Sequence, residues 1–329
     1  MQHDCLGCKG WYQRSTSASN CFYVPLRGWP AVPSGVSVVN TSLTKVTQRL
    51  TGIASRRPFS FPFEAEFKLR QYQGRALPGA LVIGGQKCGS TSLYNYLRQH
   101  PQIAGVVKRV EPQRRRWVKR EIHYFNLDDR YRHGERWYRA HFERRREGVI
   151  NFETTPGYLT SPEAPSRAHA LIPEAKLIVS LRDPVARAYS AYHHMRRQNL
   201  RRTNAPQETF REYLDRKLNP SEVGRDRPTD WNILGMGMYA DGLERWFALY
   251  PREQFHIVNF RDLVQSTNET VAGAVNFLGL PPAPIDTGSN ANPGSYRERM
   301  DSDLEERLRE YFEPHNRRLE ALLGYSMGW

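Results

Sequence analysis

A glycine-rich stretch at residues 84–91 could bind an anion. It reads Gly-Gly-Gln-Lys-Cys-Gly-Ser-Thr and follows a short apolar run at residues 80–83, while residues 90–99 have the spacing of a helix. Glycines let the backbone approach a ligand, and the N–H groups at the start of a helix point at the ligand's oxygens. The pattern therefore predicts a strand, a phosphate-binding loop and a helix, in that order.

The lysine of this loop is displaced from the position that a nucleoside triphosphate site requires. Such a loop reads G-x-x-x-x-G-K-[ST], whereas here Ser90 stands where the lysine should be and Lys87 precedes it. A kinase needs that lysine on the β- and γ-phosphates and a hydroxyl group on Mg²⁺. A nucleotide kinase is therefore the disfavoured alternative, and a requirement for Mg²⁺ would be its signature.

A second anion-binding pattern follows the apolar run at residues 176–181. Arg182 stands directly after this predicted strand, Pro184 suits the first turn of a helix, and Ser190 lies under two turns into that helix. The planar guanidinium group of arginine suits a phosphate, so Arg182 and Ser190 are predicted to converge on one anion. Arg187, on the same helix, is expected to face solvent.

These two motifs closely resemble the phosphosulfate loop and the 3′-phosphate motif of sulfotransferases that use 3′-phosphoadenosine 5′-phosphosulfate (PAPS). The resemblance implies that Lys87 contacts the oxygen that bridges phosphate and sulfate, where it would stabilise the leaving group. It also implies that Arg182 and Ser190 bind the 3′-phosphate and that no metal is required. The residues assigned to the 5′-phosphosulfate are Lys87, Cys88, Gly89, Ser90, Thr91 and Ser92.

A third stretch contains the candidate base. Residues 120–125 read Arg-Glu-Ile-His-Tyr-Phe and are followed by spaced aromatic residues and a glycine: Tyr131, Gly134, Trp137 and Tyr138. This resembles the K-E-x-H-F-F…Y-x-x-G-x-x-W-Y pattern of the heparan-sulfate type of carbohydrate sulfotransferase, which makes Glu121 the implied general base. His123 is the alternative base, and in a strand it would share a face with Glu121. His194, one helical turn after Ser190, is a further candidate for the transfer site.

Two segments depart from that family. Residues 153–158 (Glu-Thr-Thr-Pro-Gly-Tyr) resemble its E-K-[ST]-P-x-Y segment, with Thr154 in place of the lysine. The family also has a K-G-x-R-type loop over the 3′-phosphate, in which Gly294 fits the glycine and Arg297 is the candidate charge. The resemblance covers residues 78–329 and implies sulfuryl transfer to a hydroxyl or amine of a carbohydrate.

Apolar runs that suit buried strands alternate with helical patterns over this part of the chain. We therefore predict an α/β fold with a P-loop-like central parallel β-sheet flanked by helices on both faces, within a sulfotransferase domain at residues 76–329. Residues 301–323 have the pattern of a long amphipathic helix. Residues 1–75, where Asp4 is the only acid before Glu64, are predicted to be a flexible extension or a targeting segment.

Cysteines and apolar runs bear on metals and on the compartment. Cys5 and Cys8 form half of a zinc motif, but only Cys21 and His3 lie near them, so no metal site is predicted. No apolar run approaches the roughly 20 residues that span a bilayer. The family resemblance suggests the Golgi lumen, whereas the acid-poor N-terminal segment and the lack of a core disulfide suggest the cytoplasm or an organelle.

The formal net charge of +14 bears on the acceptor. Such a charge attracts polyanions, so we expect an anionic or neutral glycan, held in part by basic clusters at residues 114–116, 144–146 and 196–202. A small phenol, amine or natural product is the alternative acceptor, and nucleic acid is not an expected partner. A catalytically inactive polyanion-binding protein would share this charge, but it would not need motifs for both ends of PAPS.

Overall fold

The computed structural model describes residues 61–107, 109–111, 116–118, 121–200, 208–219, 232–288 and 299–329. In chain order the α-helices are α1 (Phe61–Arg70), α2 (Ser90–Leu97), α3 (Asp128–Tyr131), α4 (Gly134–Arg139), α5 (Ala164–Leu171), α6 (Pro184–Leu200), α7 (Phe210–Lys217), α8 (Tyr239–Phe247), α9 (Phe260–Gln265), α10 (Thr267–Phe277) and α11 (Ser302–Leu323). The β-strands are β1 (Ala80–Gly84), β2 (Ile103–Ala104), β3 (Arg109–Glu111), β4 (Arg116–Val118), β5 (Ile150–Thr154), β6 (Lys176–Leu181) and β7 (Phe255–Asn259). Turns of 3₁₀-helix cover Pro156–Tyr158, Gly235–Gly237 and Arg252–Gln254.

A parallel sheet forms the centre of the fold, with the strand order β2-β5-β1-β6-β7. Its central strand β1 pairs with β5 on one side, where Ala80 lies opposite Phe152, and with β6 on the other, where Ala80 lies opposite Lys176. Strands β3 and β4 form a separate antiparallel pair. The parallel sheet and its flanking helices confirm the predicted fold class.

Successive residues of β1 contribute to two different apolar clusters, one on each face of the sheet. Leu81 and Ile83 belong to a first cluster, which also contains side chains of α5, α8 and the end of α11. Ala80 and Val82 belong to a second cluster, which contains side chains of α2 and α10. Because both faces of β1 are covered, its sequence is continuously apolar rather than alternating.

Helix α11 joins two of the apolar clusters. Its first half places Leu304, Leu308 and Phe312 in a third cluster with side chains of α6 and α7. After Pro314, which lies inside the helix, Leu319 packs in the first cluster. The amphipathic helix that the sequence predicted over residues 301–323 is therefore confirmed, and its apolar side serves two packing sites.

Helix α1 lies in the part of the chain for which the sequence showed no helical period. Phe67 is buried in the first cluster, and the Arg70 guanidinium donates to the carbonyls of Ala140 (2.8 Å) and Phe142 (2.6 Å). Two such anchors are too few to produce a recognisable period in the sequence. Residues 1–60 lie outside the described ranges, and the domain boundary at residue 75 stays a prediction.

Within the described ranges, no helix is both long enough and apolar enough to cross a bilayer.

Candidate functional site

The loop between β1 and α2 is fastened to the neighbouring strand β6. The N–H of Gly85 donates to the carbonyl of Ser180 (2.6 Å), and the Ser180 hydroxyl donates to the carbonyl of Cys88 (2.5 Å). Lys87 has a φ of 70° and Gly89 a φ of 82°. Positive φ is uncommon for a residue other than glycine and is often found at functional sites. Lys87 adopts a positive φ, and it is the residue that the sequence predicts to contact the ligand.

The start of α2 is suited to an anion. Gly89 is its N-cap, and among the described residues no side chain caps its first turn and no acidic residue lies in it. The first N–H groups of a helix lack intrahelical partners and carry a partial positive charge. Ser90, Thr91 and Ser92 form this turn, and the order of strand, loop and helix is the one that the sequence predicted.

Arg182 extends from the end of β6 toward this loop. Its Nη1 donates to the carbonyl of Lys87 (3.4 Å), and its guanidinium group lies over the ring of Phe260, 4.7 Å from the centroid. The Tyr239 hydroxyl holds the backbone of the same residue by donating to the Arg182 carbonyl (2.8 Å). The structure thus brings the two predicted anion-binding motifs into contact.

A cleft of about 410 Å³ opens beside Arg182. The residues that line it include the aromatic Phe260 and Trp329 and the basic Arg261 and Arg309. Aromatic faces can stack on a nucleobase, and arginine forks bind phosphate. The cleft therefore has the chemistry to hold a phosphorylated nucleoside next to the loop.

Glu121 and His123 lie on the same side of their segment and contact each other. The Glu121 Oε2 and His123 Nε2 atoms are 3.4 Å apart, and the two side chains are 35% and 31% exposed, while Ile122 between them is buried. The shared side agrees with the prediction. The segment forms no strand, however, because His123 has a φ of 57°.

Comparison with known proteins decides the family. Residues 77–290 match the sulfotransferase domain family. The chain belongs to the sulfotransferases. Human heparan sulfate glucosamine 3-O-sulfotransferase 6 is 32% identical in an alignment of 279 positions, which covers 78% of this chain and 74% of that protein. Human heparan sulfate glucosamine 3-O-sulfotransferase 3B1 is 28% identical in an alignment of 332 positions, which covers 93% of this chain and 77% of that protein.

A solved sulfotransferase agrees with this family assignment. The crystal structure of the sulfotransferase from Alicyclobacillus acidocaldarius superposes with a TM-score of 0.61 at 28% identity, covering 76% of this chain and 97% of that one. The chain is thus a PAPS-dependent sulfotransferase. The uncapped start of α2, the lysine loop and Arg182 fit the donor's phosphosulfate and 3′-phosphate groups. Among the described residues, no group of His, Cys, Asp and Glu side chains is arranged to hold a metal ion.

Cys88 supports the loop of this sulfotransferase through contacts with the buried core. Its Sγ lies 3.5 Å from the Tyr239 hydroxyl, its N–H donates to the Gly85 carbonyl and its carbonyl accepts from Ser180. Burial raises the pKa of the Cys88 thiol, which its hydrogen bond with Tyr239 opposes. The thiol therefore stays neutral at ordinary pH and faces the core.

Helix α6 carries three of the residues singled out from the sequence. Ser190 is 8% exposed in its second turn, and His194 follows, with its Nε2 2.7 Å from the Gln198 Nε2. The expectation that Arg187 faces solvent is wrong, since its side chain is fully buried and donates to the carbonyl of Ile233. Helix α6 is buried on most sides in its first turns, which leaves Arg187 no path to water.

Glu153, at the end of β5, is a site residue whose role the sequence did not reveal. It is fully buried, and its carboxyl group accepts hydrogen bonds from the hydroxyls of Tyr138 (2.6 Å), Tyr158 (2.9 Å) and Thr155 (2.8 Å). The N–H of Ile122 approaches it at 3.4 Å. Burial raises the pKa of Glu153, and these hydrogen bonds oppose that shift. Its place in a buried parallel strand is the available signal, because glutamates are almost never fully buried without partners.

Several predicted residues lie outside the described ranges. They are Gly294 and Arg297 of the proposed 3′-phosphate loop and the basic residues at 114–115 and 201–202.

Proposed function

We propose that this sulfotransferase transfers the sulfuryl group of PAPS to a hydroxyl or amine of an anionic glycan, with Glu121 as the general base. The observation that carries the proposal is the contact between Arg182 and the Lys87 carbonyl, which joins the motifs for the two ends of PAPS. The two human relatives are named for the glucosamine of heparan sulfate, which supports a glycan acceptor of that kind.

The reaction follows from the proposed positions of these groups. The acceptor oxygen or nitrogen attacks sulfur in line with the bond to the bridging oxygen, and that S–O bond breaks as the new one forms. The leaving group, 3′-phosphoadenosine 5′-phosphate (PAP), keeps the electron pair, and Lys87 stabilises its developing charge. The acceptor proton passes to Glu121, whose side chain is 35% exposed and so within reach of a bound acceptor.

One cation contacts the segment of the candidate base. Arg130 of α3 donates to the carbonyl of Ile122 (3.4 Å), next to Glu121. Cations beside a reacting centre attract an anionic substrate and orient it, which supports sulfate or carboxylate groups on the acceptor.

The experiment that tests the donor site is calorimetric titration of PAP in EDTA. We expect binding without added metal, and a loss of at least about tenfold in affinity (1.4 kcal/mol) in Lys87→Ala and in Arg182→Ala. Arg317→Ala is the matched control, because it removes an arginine that is 77% exposed on α11. Binding that requires Mg²⁺, or equal affinity in all variants, would refute the proposal.

Glu121→Gln tests the base. With radiolabelled PAPS and heparan sulfate as the acceptor, we expect kcat to fall about a hundredfold or more, as general-base removal does elsewhere. The affinity for PAP should not change, because the carboxyl group is assigned to the acceptor side. Full activity in Glu121→Gln together with inactivity in His123→Asn would transfer the role to His123.

A further inference from the structure

Three consecutive N–H groups in the segment of the candidate base donate to buried hydroxyls. Those of Ile122 and His123 donate to the Thr155 Oγ1 (3.2 and 3.4 Å). That of Tyr124 donates to the Tyr158 hydroxyl (3.0 Å). The segment therefore takes its course from side chains that follow β5, rather than from pairing with a strand.

These hydroxyls are oriented by one carboxyl group. Thr155 and Tyr158 donate to the two different oxygens of Glu153, at 2.8 and 2.9 Å. A hydroxyl whose hydrogen is used in this way presents its lone pairs to other donors. Glu153 thus makes both hydroxyls acceptors for the backbone of residues 122–124, and Tyr138 completes its hydrogen bonds.

The conformation of His123 shows why such support is needed. Its φ of 57° lies in the left-handed region, which costs about 1–3 kcal/mol for a residue of this type and persists only where the surroundings enforce it. The N–H of His123 is one of those bound by Thr155.

The supporting residues cannot touch the substrates themselves. Glu153 and Thr155 are fully buried, whereas Glu121 and His123 are about one-third exposed. Any effect of the buried pair on the reaction must therefore pass through the backbone of the segment.

We propose that Glu153 and Thr155 are positioning residues for sulfuryl transfer, which fix residues 121–124 so that the Glu121 carboxyl and the His123 ring face the acceptor. This inference rests on the proposed function and deepens it. It assigns a role to a buried carboxyl group that does not contact the donor loop.

Thr155→Val is the decisive variant, with Thr155→Ser as its matched control. Valine keeps the shape of threonine and removes the hydroxyl, whereas serine keeps the hydroxyl. We expect Thr155→Val to lower kcat with PAPS and heparan sulfate by about tenfold to a hundredfold, the scale of a misplaced catalytic group. PAP affinity should stay within about twofold of wild type in both variants, because residue 155 does not contact the donor loop. Thr155→Ser should keep most of kcat. Tyr158→Phe should show the same loss of kcat.

A double-mutant cycle with Glu121→Gln separates positioning from a merely structural role. If Thr155 acts through Glu121, the loss of kcat caused by Thr155→Val should largely vanish in the Glu121→Gln background. Losses that multiply in the double variant, or a lower melting temperature with unchanged kcat, would overturn the proposal.

Amide hydrogen exchange tests the same idea without turnover. The peptide that contains residues 121–125 should exchange faster in Thr155→Val than in wild type, while peptides of the donor loop should not change. Unchanged exchange would overturn the proposal. If wild type binds PAP but sulfates no heparan sulfate, the acceptor assignment fails, whereas the exchange result still decides whether the hydroxyls hold the segment.

Discussion

Gly89 and Gly324 share a backbone conformation but have different surroundings. Both have a φ of 82° and a ψ of 9°. A Cβ on Gly89 would lie 2.9 Å from carbons of Phe260 and Leu263, whereas a Cβ on Gly324 would have nothing within 4 Å. The two glycines therefore separate backbone strain from a clash behind the phosphate loop.

We expect Gly89→Ala to weaken PAP binding by at least about tenfold (1.4 kcal/mol), because the added methyl group pushes the loop away from α9. Gly324→Ala should leave PAP affinity unchanged. Both should lower the free energy of unfolding, by about 1–2 kcal/mol for strain in the left-handed region. Calorimetry and urea unfolding of both variants check this, and equal PAP affinity would show that the loop does not bind the donor.

Residues whose roles depend on local sequence could be predicted, and others could not. Lys87 and Arg182 each follow an apolar run, so a strand end and its neighbouring helix start could be inferred from the sequence. The burial of Arg187 depends on the 3₁₀ turn near Ile233, which is distant in the chain. The hydroxyls that surround Glu153 likewise come from several elements, so only the three-dimensional structure reveals them.

At the scale of the elements, Gly242 and Gly273 lie in helices but differ in whether a side chain would fit. A Cβ on Gly242 of α8 would lie 2.5 Å from the backbone oxygen of Leu159. A Cβ on Gly273 of α10 would meet only the His256 ring, at 3.8 Å, which is an ordinary contact. Helix α8 thus needs a glycine to approach the chain after β5, whereas α10 does not.

We expect Gly242→Ala to lower the free energy of unfolding by about 1–3 kcal/mol through overpacking. Gly273→Ala should raise it by about 0.5–1 kcal/mol, because alanine is the better helix former. Urea denaturation at one pH measures both changes. A gain in stability in both variants would mean that the contact between α8 and Leu159 relaxes without cost.

The contact between β7 and α10 predicts a pH dependence of stability. His256 stacks on Phe277 with ring centroids 5.2 Å apart, and burial lowers the pKa of His256 below its usual value of 6.5. The unfolded chain therefore takes up a proton at a higher pH than the folded protein does. Stability from this residue is fully present above pH 6.5 and is lost as the pH falls through the lower, folded pKa.

His256→Phe should remove this part of the pH dependence while keeping an aromatic ring against Phe277. Between pH 7 and pH 5 we expect the free energy of unfolding to fall more steeply in wild type than in His256→Phe. The two slopes should differ by at most about 1.4 kcal/mol per pH unit, the value for one proton. Urea unfolding curves across that range make the comparison. If the free energies of unfolding of wild type and His256→Phe fell equally with pH, other groups would control the loss of stability in acid.

Elements with a strong apolar signal were predicted closely, and those without one were not. Strand β6 has the predicted limits, and α11 begins one residue later than predicted. Helix α1 was missed because only Phe67 and Arg70 carry its described long-range contacts. The sequence left open whether the segment of Glu121 is a strand. The structure shows that side-chain hydroxyls and the positive φ of His123 set its course instead.

At the scale of the whole molecule, the net charge of +14 predicts a salt-dependent acceptor interaction. The Debye length falls from about 30 Å at 0.01 M salt to about 8 Å at 0.15 M. We expect KM for heparan sulfate to rise by about tenfold or more over that range. A neutral chito-oligosaccharide is the control, and its KM should change little. An equal rise for both acceptors would assign the effect to the donor site or to the fold.

Helix α11 has a consequence for how the protein melts. Its first half packs in the third cluster and its second half in the first cluster, and Arg309 in the first half lines the cleft beside Arg182. Neither cluster can open without displacing this helix, so we expect a single cooperative melting transition. A nucleotide bound in the cleft should shift that transition by RT ln(1 + [L]/Kd). Thermal-shift screening can therefore rank donor analogues before any acceptor is known.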